Sequence, residues 1–114
     1  MQVVARIQGE SGIEDATRDI LLRRDEGSRM TGNILIVDDN QSMAETLTKA
    51  MTRRGFVVSW KTSAADALKL LDEQDFDVVV TDLHMEGMNG FAFCERVTAN
   101  RPDVPVVMRC YSRR

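Results

Sequence analysis

Two short apolar runs that each stop at a carboxylate constrain this chain more than any other feature. Val78-Val79-Val80-Thr81 leads straight into Asp82, and Ile34-Leu35-Ile36-Val37 leads into Asp38-Asp39. Runs of this kind, bounded by turn residues, read as parallel strands covered on both faces, which need no polar alternation. Between and after them the apolar period becomes helical. Met43, Leu47, Ala50 and Met51 follow i, i+4, i+7, i+8 spacing and predict a helix over about 41–54, capped by Asn40 and stopped at Gly55. Ala64, Ala67, Leu68 and Leu71 form a second stripe after Ser63. Phe91, Cys94 and Val97 form a third, over about 91–99, broken at Arg101-Pro102-Asp103. Residues 56–60 read as a further strand, placed at an edge by Ser59 and Lys61, and residues 104–108 as a fourth. Strands alternating with helices predict βαβ units, a parallel sheet and right-handed crossovers.

Residues 1–32 read differently. Val3–Ile7 has strand composition but is brief and isolated, and Ile13, Ala16, Ile20 and Leu21 form one apolar stripe of a candidate amphipathic helix, 13–24. Residues 24–32 are polar with two glycines and read as a linker. The expected organisation is therefore an N-terminal extension, 1–32, and one α/β domain, 33–114.

A chain of 114 residues with 43% hydrophobic content suffices for one packed domain. A net charge of −3 argues against direct nucleic-acid binding, which needs a basic face. No apolar run approaches the ~20 residues of a membrane span, and no signal-peptide core follows Met1. Cys94 and Cys110 lack metal-ligand or redox spacing, so reduced thiols in a cytoplasmic protein are expected.

If the strands ending at Asp38 and Asp82 are parallel neighbours, three carboxylates converge on one rim, where open α/β sheets bind their ligands. Like charges that close need a cation or a proton to relieve them. An oxygen-only cluster suits Mg²⁺, which keeps waters and takes one or two carboxylates plus phosphate oxygens. Such a site handles a phosphoryl group, with Asp82 as the nucleophile. The plainer account of Asp38-Asp39, helix capping and solvation, leaves Asp82 unexplained.

The Asp38-Asp39 pair, Asp82 placed 44 positions after Asp38, and Asp-Leu-x-Met followed by Gly90 are together similar to the two-component response-regulator receiver domain. The resemblance covers residues 33–114. It implies a flavodoxin-like (CheY-like) α/β fold of three layers. Numbering the strands within 33–114, their order would be 2-1-3-4, with the fifth strand and last helix missing. It further implies that Asp82 accepts a phosphoryl group from a sensor histidine kinase or phosphotransfer protein. Mg²⁺ would be held by Asp38, acting mostly through water, by Asp39 and Asp82, and by the backbone carbonyl of His84. On this reading the chain is a signalling module of the cytoplasm and not a conventional enzyme.

Three departures from the family pattern stand out. Glu86 occupies a position usually held by Pro. Cys110 falls where a Ser or Thr switch residue is expected, and a thiol is the weaker donor. Neither the fifth strand nor its terminal Lys is found. The fourth strand would then be an open edge, a candidate surface for homo-oligomer formation unless the 13–24 stripe, from its own chain or a neighbour's, covers the exposed face. The alternative function is a truncated, non-phosphorylated receiver that acts in docking or dimerisation. A nucleotide-binding domain is disfavoured, since neither G-x-G-x-x-G nor a P-loop occurs.

Overall fold

The computed structural model describes residues 3–7, 32–82 and 88–109. Their elements are β1 (Val3–Ile7), β2 (Asn33–Val37), α1 (Gln41–Arg53), β3 (Val57–Lys61), α2 (Ala64–Glu73), β4 (Val78–Asp82), α3 (Gly90–Asn100) and β5 (Val106–Arg109). All strand pairs are parallel, and the sheet runs β3-β2-β4-β5-β1. Within residues 33–114 this is the expected 2-1-3-4 order, with β3 at one edge. The other edge differs from expectation. The strand β1, which the sequence left isolated, pairs along β5 from Val3 opposite Val106 to Ile7 opposite Arg109. So β5 is not an open edge. Nothing in Val3–Ile7 itself names β5 as its partner, because pairing at that sequence distance is set by where the rest of the sheet already lies.

Burial explains the central strands. Ile34, Leu35, Ile36 and Val37 are 0–1% exposed, and Val78, Val79 and Val80 match them. Each such side chain contributes roughly 1.5–3 kcal/mol on leaving water. Alternation along the strands sorts the core into two layers. Leu35, Val37, Val79, Val106 and Met108 pack with Ala64, Ala67 and Leu71 of α2 and Phe93, Cys94 and Val97 of α3. Ile34, Ile36, Val78, Val80 and Val107 pack with Ala44, Leu47 and Met51 of α1.

The helix starts follow local chemistry. Asn40 Oδ1 accepts the Met43 N–H at 3.1 Å, Ser63 Oγ accepts the Asp66 N–H at 3.1 Å, and Asn89 Oδ1 accepts the Ala92 N–H at 2.8 Å. Past α1, Gly55 takes φ +97°, a region closed to most side chains, so the chain turns directly into β3. Two details depart from the stripes read in sequence. In α1 the buried face is Ala44, Leu47 and Met51, with Met43 and Ala50 only partly covered, since the helix is rotated toward the sheet by the loop from β2. Val104 is buried but precedes β5; its N–H is held by the Arg101 carbonyl at 3.1 Å, and Pro105 has no N–H to give a ladder. At the bottom of the sheet, Asn33 N–H donates to Asp77 Oδ2 and Asp77 N–H to the Asn33 carbonyl, both at 2.8 Å. This reciprocal pair fixes β2 against β4 and hence the register at their upper ends. No described helix is long and apolar enough to cross a membrane.

The segment 13–24, the loop residues His84 and Glu86, and Cys110 lie outside the described residues.

Candidate functional site

The register that pairs Ile34 with Val78 and Val37 with Thr81 carries upward by one step to bring Asp38 and Asp82 level. Both then leave the sheet at its carboxyl rim. Asp38 is 2% exposed and Asp82 9%, whereas Asp39, one step further into the loop, is open to solvent. One carboxylate oxygen from each of Asp38, Asp39 and Asp82 lies within 4.8 Å of the others. The structure thus brings together the three acids that the sequence singled out.

Local hydrogen bonds hold this geometry. Asp38 N–H donates to the Lys61 carbonyl at 3.1 Å, so the end of β3 fixes the backbone where β2 gives way to loop. Asp38 Oδ1 accepts the Asn40 N–H at 2.9 Å, an Asx turn that bends the chain into α1. Thr81 Oγ1 donates to the Asp82 carbonyl at 3.1 Å. The carbonyl of Lys61 is a positioning group the sequence did not reveal; a backbone acceptor leaves no side-chain signature.

Charge decides what such a site can hold. Carboxylates gathered within 4.8 Å of one another repel, most strongly between the buried Asp38 and Asp82 and less at Asp39, which solvent screens. A hard divalent cation replaces that repulsion with attraction. The donor set, three carboxylates without nitrogen or sulfur, fits Mg²⁺ or Ca²⁺ and not zinc or copper.

On the adjoining strand, Arg109 occupies the register position beside Asp82. It is the last residue of β5, beyond the apolar stretch 106–108 and on the carboxyl rim.

Residues 34–112 match the response regulator receiver domain family. A two-component response regulator of Oryza sativa subsp. japonica is 39% identical over 79 residues, covering 67% of this chain and 12% of that protein. The transcriptional regulatory protein TcrA of Mycobacterium tuberculosis is 35% identical over 81 residues, covering 70% of this chain and 32% of TcrA. This chain therefore spans a minor part of the length of the curated relatives it matches. Among solved structures, the response regulator protein TrrA from Thermotoga maritima, in complex with Mg(2+)-BeF, superposes with a TM-score of 0.66 at 25% identity over 70% of each chain. A response regulator protein from Burkholderia pseudomallei, with a phosphorylated aspartic acid, calcium ion and citrate, gives 0.65 at 30% identity over 70% of this chain and 48% of that one.

Proposed function

This chain belongs to the response regulator receiver domain family, and on that premise we propose that it accepts a phosphoryl group on Asp82. The observation that carries the reading is the meeting of three carboxylates on the rim between β2 and β4. The donor would be a phosphohistidine on a sensor histidine kinase or phosphotransfer protein in the cytoplasm. An Asp82 carboxylate oxygen forms the new O–P bond. The P–N bond of the donor breaks as it forms, and its electron pair leaves on the imidazole nitrogen.

Bound Mg²⁺ supplies neutralising charge for the phosphoryl oxygens and a template for in-line geometry. Asp39 and Asp82 would hold it directly, Asp38 mostly through water, with the His84 carbonyl as a further oxygen ligand. Asp38 also keeps the loop in place through its bond from Asn40. Asp82 is 9% exposed, which limits its freedom, so transfer becomes chiefly a matter of positioning.

Receiver domains are signalling modules, and turnover is not their task; the relevant quantity here is a phosphorylated fraction. Incubating the chain with Mg²⁺ and acetyl phosphate, with intact mass as the readout, is the direct test. The expected result is a gain of one phosphoryl group that disappears in Asp82→Asn and when EDTA is present. No gain in the native chain would discard phosphoacceptance and leave a docking role for the same fold.

A further inference from the structure

β3 is an edge of the sheet, and among the described residues no strand pairs with its outer side. Its ladder to β2 fixes which backbone groups face outward. Val57 N–H donates to the Gly32 carbonyl at 3.0 Å, and the Lys61 carbonyl accepts the Asp38 N–H at 3.1 Å. In a parallel ladder a residue sends its N–H and C=O to one side, and the side alternates along the strand. Val57, Ser59 and Lys61 therefore face β2, and Val58 and Trp60 turn their N–H and C=O groups out.

Side chains alternate across the sheet instead. Val58 and Trp60 pack on the α1 layer. Lys61 lies on the α2 side, where it lines a cavity of about 310 Å³ with Asp66, Lys69, Leu70 and Glu73. Among the described residues Val57 is the large apolar side chain left exposed, at 58%.

These groups are complementary to a second copy of themselves. In an antiparallel pair of β3 strands, hydrogen-bonded positions need outward-facing residues on both sides. Val58 opposite the partner's Val58 would set Trp60 against the partner's Phe56, and the Phe56 N–H is already given to the Met51 carbonyl at 3.2 Å. Trp60 opposite the partner's Trp60 would set Val58 against the partner's Thr62, past the end of the strand. The register centred on Ser59 uses both outward residues of each strand. It places Val58 opposite the partner's Trp60, a β-branched–aromatic pair. Ser59 meets the partner's Ser59 at a position where Cα atoms approach to about 4.5 Å, which a small side chain suits. Val57 falls under the aliphatic stem of the partner's Lys61.

Charge agrees with this register. α2 begins at the carboxyl rim, where β3 ends, and runs back toward the amino rim, so Lys61 and Glu73 sit toward opposite rims on the outer side of the cavity. A two-fold axis sets one copy's carboxyl rim beside the other's amino rim. Lys61 then lies on the side of the partner's Glu73, twice by symmetry. A lysine on an edge guards it against arbitrary strands, and here its charge is matched across the axis.

We propose that β3 is a self-association edge: two copies pair antiparallel about a two-fold axis at Ser59 and join their five-stranded sheets into one. The contact is short, about 17 Å of strand. It belongs with interfaces below about 1,200 Å², and association is expected between about 10 µM and 1 mM, not at nanomolar concentration.

The test uses the full chain without Mg²⁺ or a phosphodonor, so its outcome is separate from phosphoacceptance. Sedimentation equilibrium up to about 1 mM is expected to show the mean mass rising toward twice that of the monomer. Val57→Lys sets like charges opposite each other at two symmetric places and weakens association at least about tenfold. Val57→Glu removes the same valine but faces the partner's Lys61 with an opposite charge, and keeps association near that of the parent. Both variants hold Tm within about 3 °C of the parent, because the position is exposed. Val58→Pro removes an outward N–H and leaves the ladder to β2 intact, so it abolishes association; where circular dichroism shows it unfolded, the two Val57 variants decide alone. A parent that stays monomeric to about 1 mM would overturn the proposal. So would equal association of the two Val57 variants, or a dimer that a folded Val58→Pro leaves untouched.

Discussion

β3 and β1 close opposite edges of one sheet by different routes. β3 follows α1 after a three-residue turn and pairs with β2, placing Val57 opposite Asn33. β1 pairs with β5, placing Val3 opposite Val106 across nearly the whole chain. The first pairing closes a short loop and is rewarded at once by the packing of Leu47 and Met51 against Ile34 and Ile36. The second waits for β2, β4 and β5 to be in place, since a loop of about a hundred residues must close before any contact repays it. One edge is therefore local in origin and the other is a late consequence of the sheet.

Substitutions in the sheet, at a helix cap and at the rim break or sharpen this contrast. The largest effect is expected from Ile36→Ala in β2, the strand both edges ultimately lean on. Loss of a side chain 1% exposed should cost about 2–5 kcal/mol in urea unfolding, with all protected amides affected together. Next come Ala5→Pro and Arg6→Pro, which lie in regular register with Val107 and Met108, past the irregularity between Val3 and Ala5. In an edge strand alternate N–H groups face the neighbour, so one of the two removes a ladder bond, costing about 1–3 kcal/mol, and the other is far milder. Hydrogen exchange should show the harsher variant opening β1 and β5 while β2 and β3 stay protected. Equal effects from both would mean that β1 is not held as an edge strand. Asn40→Ala removes the cap that accepts from Met43 and should cost about 1 kcal/mol, felt at α1 and β3 and leaving β1 exchange unchanged.

The smallest effect on folding is expected at the rim. Asp39→Asn relieves repulsion at an exposed position, so without divalent ions Tm rises by no more than a few degrees, about 1 kcal/mol or less. Added Mg²⁺ is expected to stabilise the parent through preferential binding to the folded state, and the variant should lose most of that gain.

Much of the site was legible because its determinants are local. An apolar run that ends in Asp is a strand meeting its rim, so Asp38, Asp39 and Asp82 announced themselves by type and position. Asn40 and Ser63 were readable as caps for the same reason. Asn89 was not picked out, although it caps α3 in the same way, because the Gly-rich loop before it masks where the helix starts. The role of the Lys61 carbonyl was invisible, since a backbone oxygen carries no residue identity. Ala44 displaced Met43 on the buried face of α1 because helix rotation is set by the loop and the sheet, not by which residue is larger.

By itself the sequence determined the alternation of strands and helices, the family, and the three acids at strand ends. Each is written in the nearest few residues, through periodicity, capping and the switch from apolar to charged. Only the tertiary structure decided that Val3–Ile7 belongs beside Val106–Arg109 and that the acids' oxygens come within 4.8 Å of one another. Strand partners and inter-strand distances depend on how many separate elements share one sheet, and hydrophobic burial, which assembles them, has no direction of its own.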